Sequence, residues 1–491
     1  MRPSPTRRNG VVVVFVALSL VMLLGMAGIA VDLSRLYLQR AKAQRAADAA
    51  ALAGAVRMAQ GYNKTTADVA AQNLAANNGY DTTKGATLTT TYPVPNNPNW
   101  YKVSLSKPET LFFMGLFGFH TKQIGATATA LYEQPVEIDI TGGNTSYGAT
   151  GRMNLSVYGA DAYKQHGDAY SPKWLDSYSA AFIPGASSGD PNPDYTPDGY
   201  DFTINIPNNY SSLNNGSTDV TVEIFDPDSY NSGGNNANGT QRVDEIRSAF
   251  TSGAPTATTT VYTLYYTNGT ADTSDDIQIA TKSYSNGSST DMQWVKPNSD
   301  FTFDLNDSTW SAHAYDPNAF RINVRGISGG SENGFSLRAG PPLPTVTNTR
   351  RRNGRTEYYY NGAWHSSRPE FDPDNGTSIT AQGRIPINFN SSGTVTVKLG
   401  YIPAGATSFY VDKFDTDVGS QSVSYSDGSN NFAGVLTKNA QHLRDAYTLP
   451  NNYGGGTWYA TYTAGQQDTS SWSMYYSGPA VNKPGTVRLI R

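Results

Sequence analysis

The residues best suited to chemistry are carboxylates set close together beside proline. They occur as Asp190-Pro-Asn-Pro-Asp194, Asp226-Pro-Asp228, Asp316-Pro-Asn318 and Asp372-Pro-Asp374-Asn-Gly376, with Asp415-Thr-Asp417 and the 272–276 run adding to them. Alternating carboxylates in a loop can converge on Ca2+, which takes about six to eight oxygen ligands. No loop carries EF-hand spacing with its closing Glu, and Asp and Pro are equally good turn formers. Ca2+ at loops such as Asp226/Asp228 or Asp372/Asp374 therefore stands beside plain turns as an alternative. The five histidines, His120, His166, His313, His365 and His442, have no metal-ligand spacing, and no Gly-x-Ser-x-Gly turn or phosphate-binding glycine loop accompanies them. Tyr358-Tyr-Tyr-Asn-Gly-Ala-Trp364 and Trp472-Ser-Met-Tyr-Tyr476 are rich enough in aromatics to stack on sugar rings, or to be half-buried strand residues. No catalytic, cofactor-binding or metal-ligating residue is assigned, and the chain is expected not to be an enzyme.

The chain has 491 residues, enough for two or three domains. Charged residues make up 15% and hydrophobic ones 38%; Asn, Ser, Thr and Gly fill the gap, which suits short strands joined by many turns. Residues 1–60 hold eight Lys/Arg against two Asp, or +6; with a total of −4, the remainder carries −10. An acidic remainder argues against nucleic acid, which needs a concentrated basic face. The run Arg350-Arg351-Arg352-Asn353-Gly354-Arg355 is read as a solvated linker. With no cysteine, disulfides and thiolate metal sites are excluded.

Whatever the loops do, residues 1–60 determine where they do it. Residues 11–31 carry no charge, and as a helix they span roughly 30 Å, the hydrocarbon thickness of a bilayer. Arg2, Arg7 and Arg8 precede the span and favour a cytoplasmic amino terminus with the remainder outside. A cleaved secretory signal, with small residues at Gly28-Ile29-Ala30, is the alternative. Helix signals continue past that point, since nine of the fifteen positions 41–55 are alanine. One rod over about 11–59 is expected, with Arg45 and Asp48 placed to pair. Its small-residue faces suit packing against other helices.

The run Gly28-Ile-Ala-Val-Asp32-Leu-Ser-Arg35-Leu-Tyr37, then Gln44-Arg-Ala-Ala-Asp48-Ala-Ala-Ala-Leu-Ala-Gly54, resembles the amino-terminal signature of TadE/TadG-like proteins of the tight-adherence (Flp) pilus assembly system. The likeness extends over about residues 7–133, through 67–79 and the blocks Leu111-Phe-Phe-Met-Gly-Leu-Phe-Gly118 and Ile124-Gly-Ala-Thr-Ala-Thr-Ala130. It implies a membrane-anchored, pilin-like module and pilus-assembly partners. Prepilin-like members carry Glu five residues after a cleavage glycine; here Phe15 follows Gly10 at that spacing, a departure that suits the segment better to anchoring than to polymerising. The Asp-x-Ser-x-Ser metal motif of the von Willebrand A domain found in larger members has no counterpart.

The expected architecture is an α+β pilin-like amino-terminal module with a long transmembrane helix, followed by mainly-β domains of antiparallel β-sandwich type. Residues 1–60 form the cytoplasmic tip, the span 11–31 and the alanine-rich helix. Residues 61–133 form a small α+β region with strands near 86–92, 100–105 and 124–132, against which Phe112, Phe113, Phe117 and Phe119 would be buried. A membrane-inserting segment at 111–119, too short to span, is the other reading of those phenylalanines. Residues 134–345 form one sandwich, with a short helix near 242–250. Residues 346–491 form a second, closed by a strand at 486–490. The expected function is a single-pass cell-membrane protein of pilus assembly or surface adhesion, presenting its β domains outside. Its partners would be lipid, other transmembrane helices, pilus-assembly proteins, and a glycan or cell-surface protein. A secreted or surface-attached glycan-active enzyme or carbohydrate-binding protein is the alternative.

Overall fold

The computed structural model describes residues 9–490 except 60–61, 93, 95–99, 141–152, 165–166, 230–243, 245–255, 269–274, 286, 288, 373, 390–392, 415–420, 437–441, 465–467 and 479–485. The chain forms two compact units, residues 1–134 with 477–491, and residues 135–476.

The first unit is built on α1 (Asn9–Ala59), an unbroken helix about 77 Å long. Residues 12–24 are apolar and exposed all round, whereas the second half of the helix buries one stripe. Ala43, Ala46, Ala47, Ala50, Ala51 and Ala55 recur at helical spacing and are sealed from solvent. Against them lies α2 (Lys64–Asn77), which contributes Ala67, Ala71 and Ala75. Alanine on both sides lets the two backbones approach closely. Asn63 caps α2 by accepting from the Thr66 amide at 3.0 Å. At the other end Gly79, at φ +89°, makes a Schellman turn in which the Tyr80 amide reaches the Ala75 carbonyl at 2.9 Å. The turn seats Tyr80 in the core.

Strands β1 (Thr87–Thr91), β2 (Trp100–Thr110) and β3 (Thr121–Pro135) form an antiparallel meander. Along β2 the alternating Tyr101, Val103 and Leu105 face the helices and are buried. The terminal strand Thr486–Ile490 pairs with the other edge of β3, with Leu489 opposite Ala130. This corrects the expected place of that strand in a second sandwich. An unpaired β3 edge would expose a row of backbone donors and acceptors, and the terminal strand covers it. The expected burial of Phe112, Phe113, Phe117 and Phe119 is also corrected. The β2–β3 hairpin runs past the end of the sheet core, so its turn has nothing of that core to pack on, and all four are exposed.

The second unit is antiparallel β. One six-stranded sheet runs Glu137–Asp139, Ser378–Gln382, Tyr200–Asn205, Phe320–Ser328, Thr259–Tyr266 and Ile277–Tyr284. The sheet facing it runs Asp468–Ser477, Arg384–Phe389, Met153–Tyr158, Glu332–Gly340, Asp219–Phe225 and Trp294–Val295. Phe335 from the second meets Phe202 and Tyr262 from the first, edge to face, with ring centroids 6.1 and 5.7 Å apart. A further pair of layers follows. The four-stranded sheet Gly393–Ile402, Gly456–Ala464, Gln421–Ser426 and Asn431–Leu436 is covered by the paired strands Ser408–Phe414 and Leu443–Thr448, and Phe409 meets both Tyr425 and Trp458.

A long apolar helix followed by antiparallel β-sheet layers is thus the architecture, but the expected division at 345/346 is corrected. Ser378–Gln382 pairs with Tyr200–Asn205 and Glu137–Asp139, and Arg384–Phe389 with Met153–Tyr158. The chain returns to complete the first sandwich before it builds the next layers. The arginine run is no linker. Asn348–Arg352 pairs with Arg355–Tyr360 across Asn353-Gly354, and that strand pairs with Ala363–His365 across Asn361-Gly362. Both Asn-Gly pairs have positive φ, as type I′ hairpin turns require. Apart from Asp244, the expected helix at 242–250 lies outside the described residues.

Candidate functional site

The signature residues of α1 converge on one structure, the turn between β2 and β3. The side chain of Asp32 is almost completely buried, with 2% of the residue exposed. Its carboxylate accepts from three successive amides, Phe112 at 3.0 Å, Phe113 at 2.9 Å and Met114 at 2.8 Å. These amides open the 3₁₀ turn Met114–Phe117, whose first N–H groups have no partner within the turn. A carboxylate holding three such donors is a cap supplied from 80 residues away. One helical turn on, Arg35 donates to the Thr110 carbonyl at 2.8 Å, reaches Glu109 at 3.4 Å and lies 4.5 Å above the Phe112 ring. One turn earlier, Gly28 is buried beneath Phe113, and a Cβ there would come within 2.7 Å of the ring. Gly28, Asp32 and Arg35 thus form a seat, a cap and a brace on one side of the helix.

The turn they hold is closed by the Leu111 amide donating to the His120 carbonyl at 2.9 Å. Residues 111–119 are uncharged. Phe112 and Phe117 are each 62% exposed, Phe119 59% and Leu116 83%. The exposed apolar half of α1 lies beside them: residues 12–24 are all exposed, and the helix is long and apolar enough to cross a membrane.

The second half of α1 is held differently. Gly54 lies under the Tyr101 ring, where a Cβ would come within 2.1 Å. The Tyr101 hydroxyl donates to Asp68 at 2.6 Å, and Asp68 also takes Lys64 at 2.6 Å and the Thr90 hydroxyl at 2.8 Å. Burial raises the Asp68 pKa, but the bonds from Lys64, Tyr101 and Thr90 outweigh it and hold the carboxyl below its ordinary value. Burial and the Asp68 charge push the Tyr101 phenol far up. Asp48 accepts from Gln44 at 2.8 Å, in place of the expected Arg45.

Among the described residues, most carboxylates of the acidic loops are taken up singly, by turns or by ion pairs. Asp190 closes a turn by accepting from the Ser187 amide at 2.7 Å, and Asp372 likewise holds the Asp374 amide at 2.9 Å. Asp316 pairs with His313 at 2.7 Å and Asp276 with Arg321. Asp194 pairs with Lys164 and with His442 at 2.9 Å. Burial opposes ionisation of Asp194, yet His442 and Lys164 hold its pKa well below the ordinary range. Asp226 is fully buried, and neither carboxylate oxygen accepts a hydrogen bond of normal geometry. Burial pushes it well above the ordinary carboxylate range, partly offset by the Met292 amide and reinforced by Asp291 and Asp228. Asp228 is held by the Gly287 amide at 3.2 Å and by the Thr290 hydroxyl. Among the described residues no group of three or more His, Asp or Glu is placed to hold a metal ion. Asp415, Asp417, residues 272–274 and His166 lie outside the described residues.

The aromatic runs separate. Trp472 and Tyr476 are core residues. Tyr358, Tyr359 and Trp364 stand half-exposed on the arginine meander, with Arg350 4.1 Å from the Trp364 ring and His365 stacked on Tyr360 at 3.8 Å. Sequence reasoning missed the Asp32 cap and the Lys164–Asp194–His442 cluster. Neither has a local signal, since the partners lie 80 positions apart in the first and 30 and 248 in the second. The run of apolar residues at 111–119 was the one visible sign of the first.

Residues 10–57 match the family profile described as putative Flp pilus-assembly TadE/G-like. No curated protein matches the chain. Among solved structures, a family 29 carbohydrate-binding module is 12% identical over 28% of this chain and 88% of its own, with a TM-score of 0.15. The Bacillus thuringiensis insecticidal crystal protein Cry7Ca1 is 11% identical over 53% of this chain and 60% of its own, also at 0.15. Scores this low carry neither fold nor function to the β layers. Gly28, Asp32, Arg35 and Gly54 all fall inside the matched stretch, and the amino-terminal segment of this chain is TadE/G-like.

Proposed function

We propose that the chain is a single-pass membrane protein of pilus assembly or surface adhesion, which holds its β layers outside the cell. The observation that carries this reading is the two-part character of α1. Residues 12–24 are apolar and exposed on every face, as a lipid-embedded helix is; the second half is the alanine-faced core helix of a folded unit. A helix that serves as anchor and core at once has no reason to be cut between the two. Arg2, Arg7 and Arg8 favour an inside amino terminus. Purification of the full chain from detergent-solubilised membranes tests the reading: pilus-assembly components should co-purify, and the protein should begin before residue 11. Recovery as a soluble protein that starts near residue 31 would overturn it.

A second reading, glycan binding by the β layers, is supported by the half-exposed Tyr358, Tyr359 and Trp364 on the arginine meander. Aromatic faces beside guanidinium groups suit sugar rings, acidic ones above all. Binding to a panel of neutral and acidic polysaccharides that is lost in Trp364→Ala would favour it. Turnover of any of them would add an enzymatic role.

A further inference from the structure

We infer that residues 111–119 form a collar that inserts into the same bilayer leaflet α1 enters, and so fixes how deep the helix sits. The inference rests on the anchored reading above. It commits to lipid as the occupant because the loop is continuous with the span. Phe113 packs on Gly28, and Gly28 lies inside the uncharged stretch, about 6 Å along the helix from Asp32 toward the membrane. The loop therefore cannot stand clear of a bilayer that covers α1 up to residue 31. Phe112, Leu116, Phe117 and Phe119 are each more than half exposed. At the loop base Arg35 reaches Glu109, Lys122 stands opposite Glu109 and His120 closes the turn, polar groups at the level where headgroups would begin. Aromatic residues between a charged rim and an apolar span are the composition of a membrane interface.

Asp32 gives the device its physical logic. A backbone turn placed at the bilayer surface loses water as a hydrogen-bond partner, and each unsatisfied amide there is costly. One buried carboxylate answers three amides at once. Arg35 does the same for the Thr110 carbonyl. The Asp and Arg of the signature thus serve to make a short apolar turn tolerable at the edge of lipid.

The chain has no cysteine, so single nitroxide labels can be placed at will. The full chain, reconstituted in phosphatidylethanolamine/phosphatidylglycerol vesicles, would carry a label at Leu116→Cys, Phe117→Cys, Leu18→Cys or Thr91→Cys. Thr91 pairs with Lys102, about 26 Å along β2 from Thr110. Power-saturation EPR reads collisions with oxygen, which favours lipid, against those with a nickel chelate, which favours water. Labels at 116 and 117 should fall on the lipid side with Leu18, and Thr91 on the water side. Asp32→Asn should move the 116 label toward water and leave Leu18 unchanged. Leu18 in lipid with 116 and 117 in water would overturn the collar alone; Leu18 in water would overturn the anchor as well. Labels at 116 shielded from both reagents would mean a protein contact, and would also overturn lipid as the occupant. An unchanged 116 label in Asp32→Asn would overturn the role given to the cap.

Discussion

At Gly54 a single hydrogen atom decides whether α1 and the sheet can meet. Tyr101 has no freedom to make room, because its hydroxyl is held by Asp68. Gly54→Ala should raise helix propensity by about 1 kcal/mol and still destabilise the first unit by a net ~1–3 kcal/mol, because the added methyl overpacks the contact. Thermal melting checks this, and Gly54→Ala combined with Tyr101→Ala should cost less than the two separately. Asp226 poses the opposite problem, a carboxyl with too few partners. Its ordinary pKa is 3.8 and burial raises it when folded. Between those two values the folded chain keeps a proton that the unfolded chain has lost, so stability falls as pH climbs through that window. Asp226→Asn should therefore raise the melting temperature of the second unit by several degrees at pH 7, with little effect at pH 4. Asn also suits the positive φ of 51° at this position. A larger gain at pH 4 than at pH 7 would contradict the assignment. The sequence marked Asp32, Asp48 and Asp226 as residues to watch, but not what they do. Asp32 became intelligible only with the amides of residues 112–114 against it, and Asp226-Pro-Asp228 looks the same on paper whether it binds a cation or is simply buried.

At the scale of elements, periodicity located far more than it paired. The alternation along 100–105 and the alanines of 41–55 marked a strand and a helix face correctly, because one local period determines each. The alanine face suggested a partner helix, and α2 of the same chain supplies it. What no period carries is which edge a strand seeks. The strand at 486–490 was visible, but its partner is β3, more than 350 positions earlier. That pairing makes a clear expectation. A chain truncated after residue 478 leaves positions 129–133 of β3 as an open edge, and open edges recruit other strands. The truncated protein should self-associate by light scattering in detergent where the full chain stays dispersed. A synthetic peptide of residues 479–491 added in trans should reverse it. If truncation left association unchanged, the terminal strand would not be what protects that edge.

For the molecule as a whole, the open question was where one folded body ends. Composition changes at 340–355, with its prolines and arginines, read as a boundary, since local polarity is the usual sign of a linker. It is instead an excursion, a three-stranded meander thrown out between two strands of one sandwich. The strands that follow are interior to both sheets. Ser378–Gln382 lies between Glu137–Asp139 and Tyr200–Asn205, and Arg384–Phe389 lies between Met153–Tyr158 and Asp468–Ser477. A fragment of residues 135–345 would thus lose a central strand from each layer. It would leave Tyr200–Asn205 and Met153–Tyr158 as raw edges and strip cover from Phe202 and Leu155, both buried in the intact chain. Cores of this kind are only marginally stable, so the deficit should exceed what the fragment can bear. Calorimetry would decide: residues 135–476 should melt cooperatively, and residues 135–345 should show no cooperative transition and should aggregate. A sharp, reversible transition in the shorter fragment would restore the boundary at 345/346 and make the later strands an addition to a finished domain. The difference matters for function, because a ligand held by the arginine meander would then pull on a separable module. In the arrangement described here, it pulls on the strands that close the sandwich.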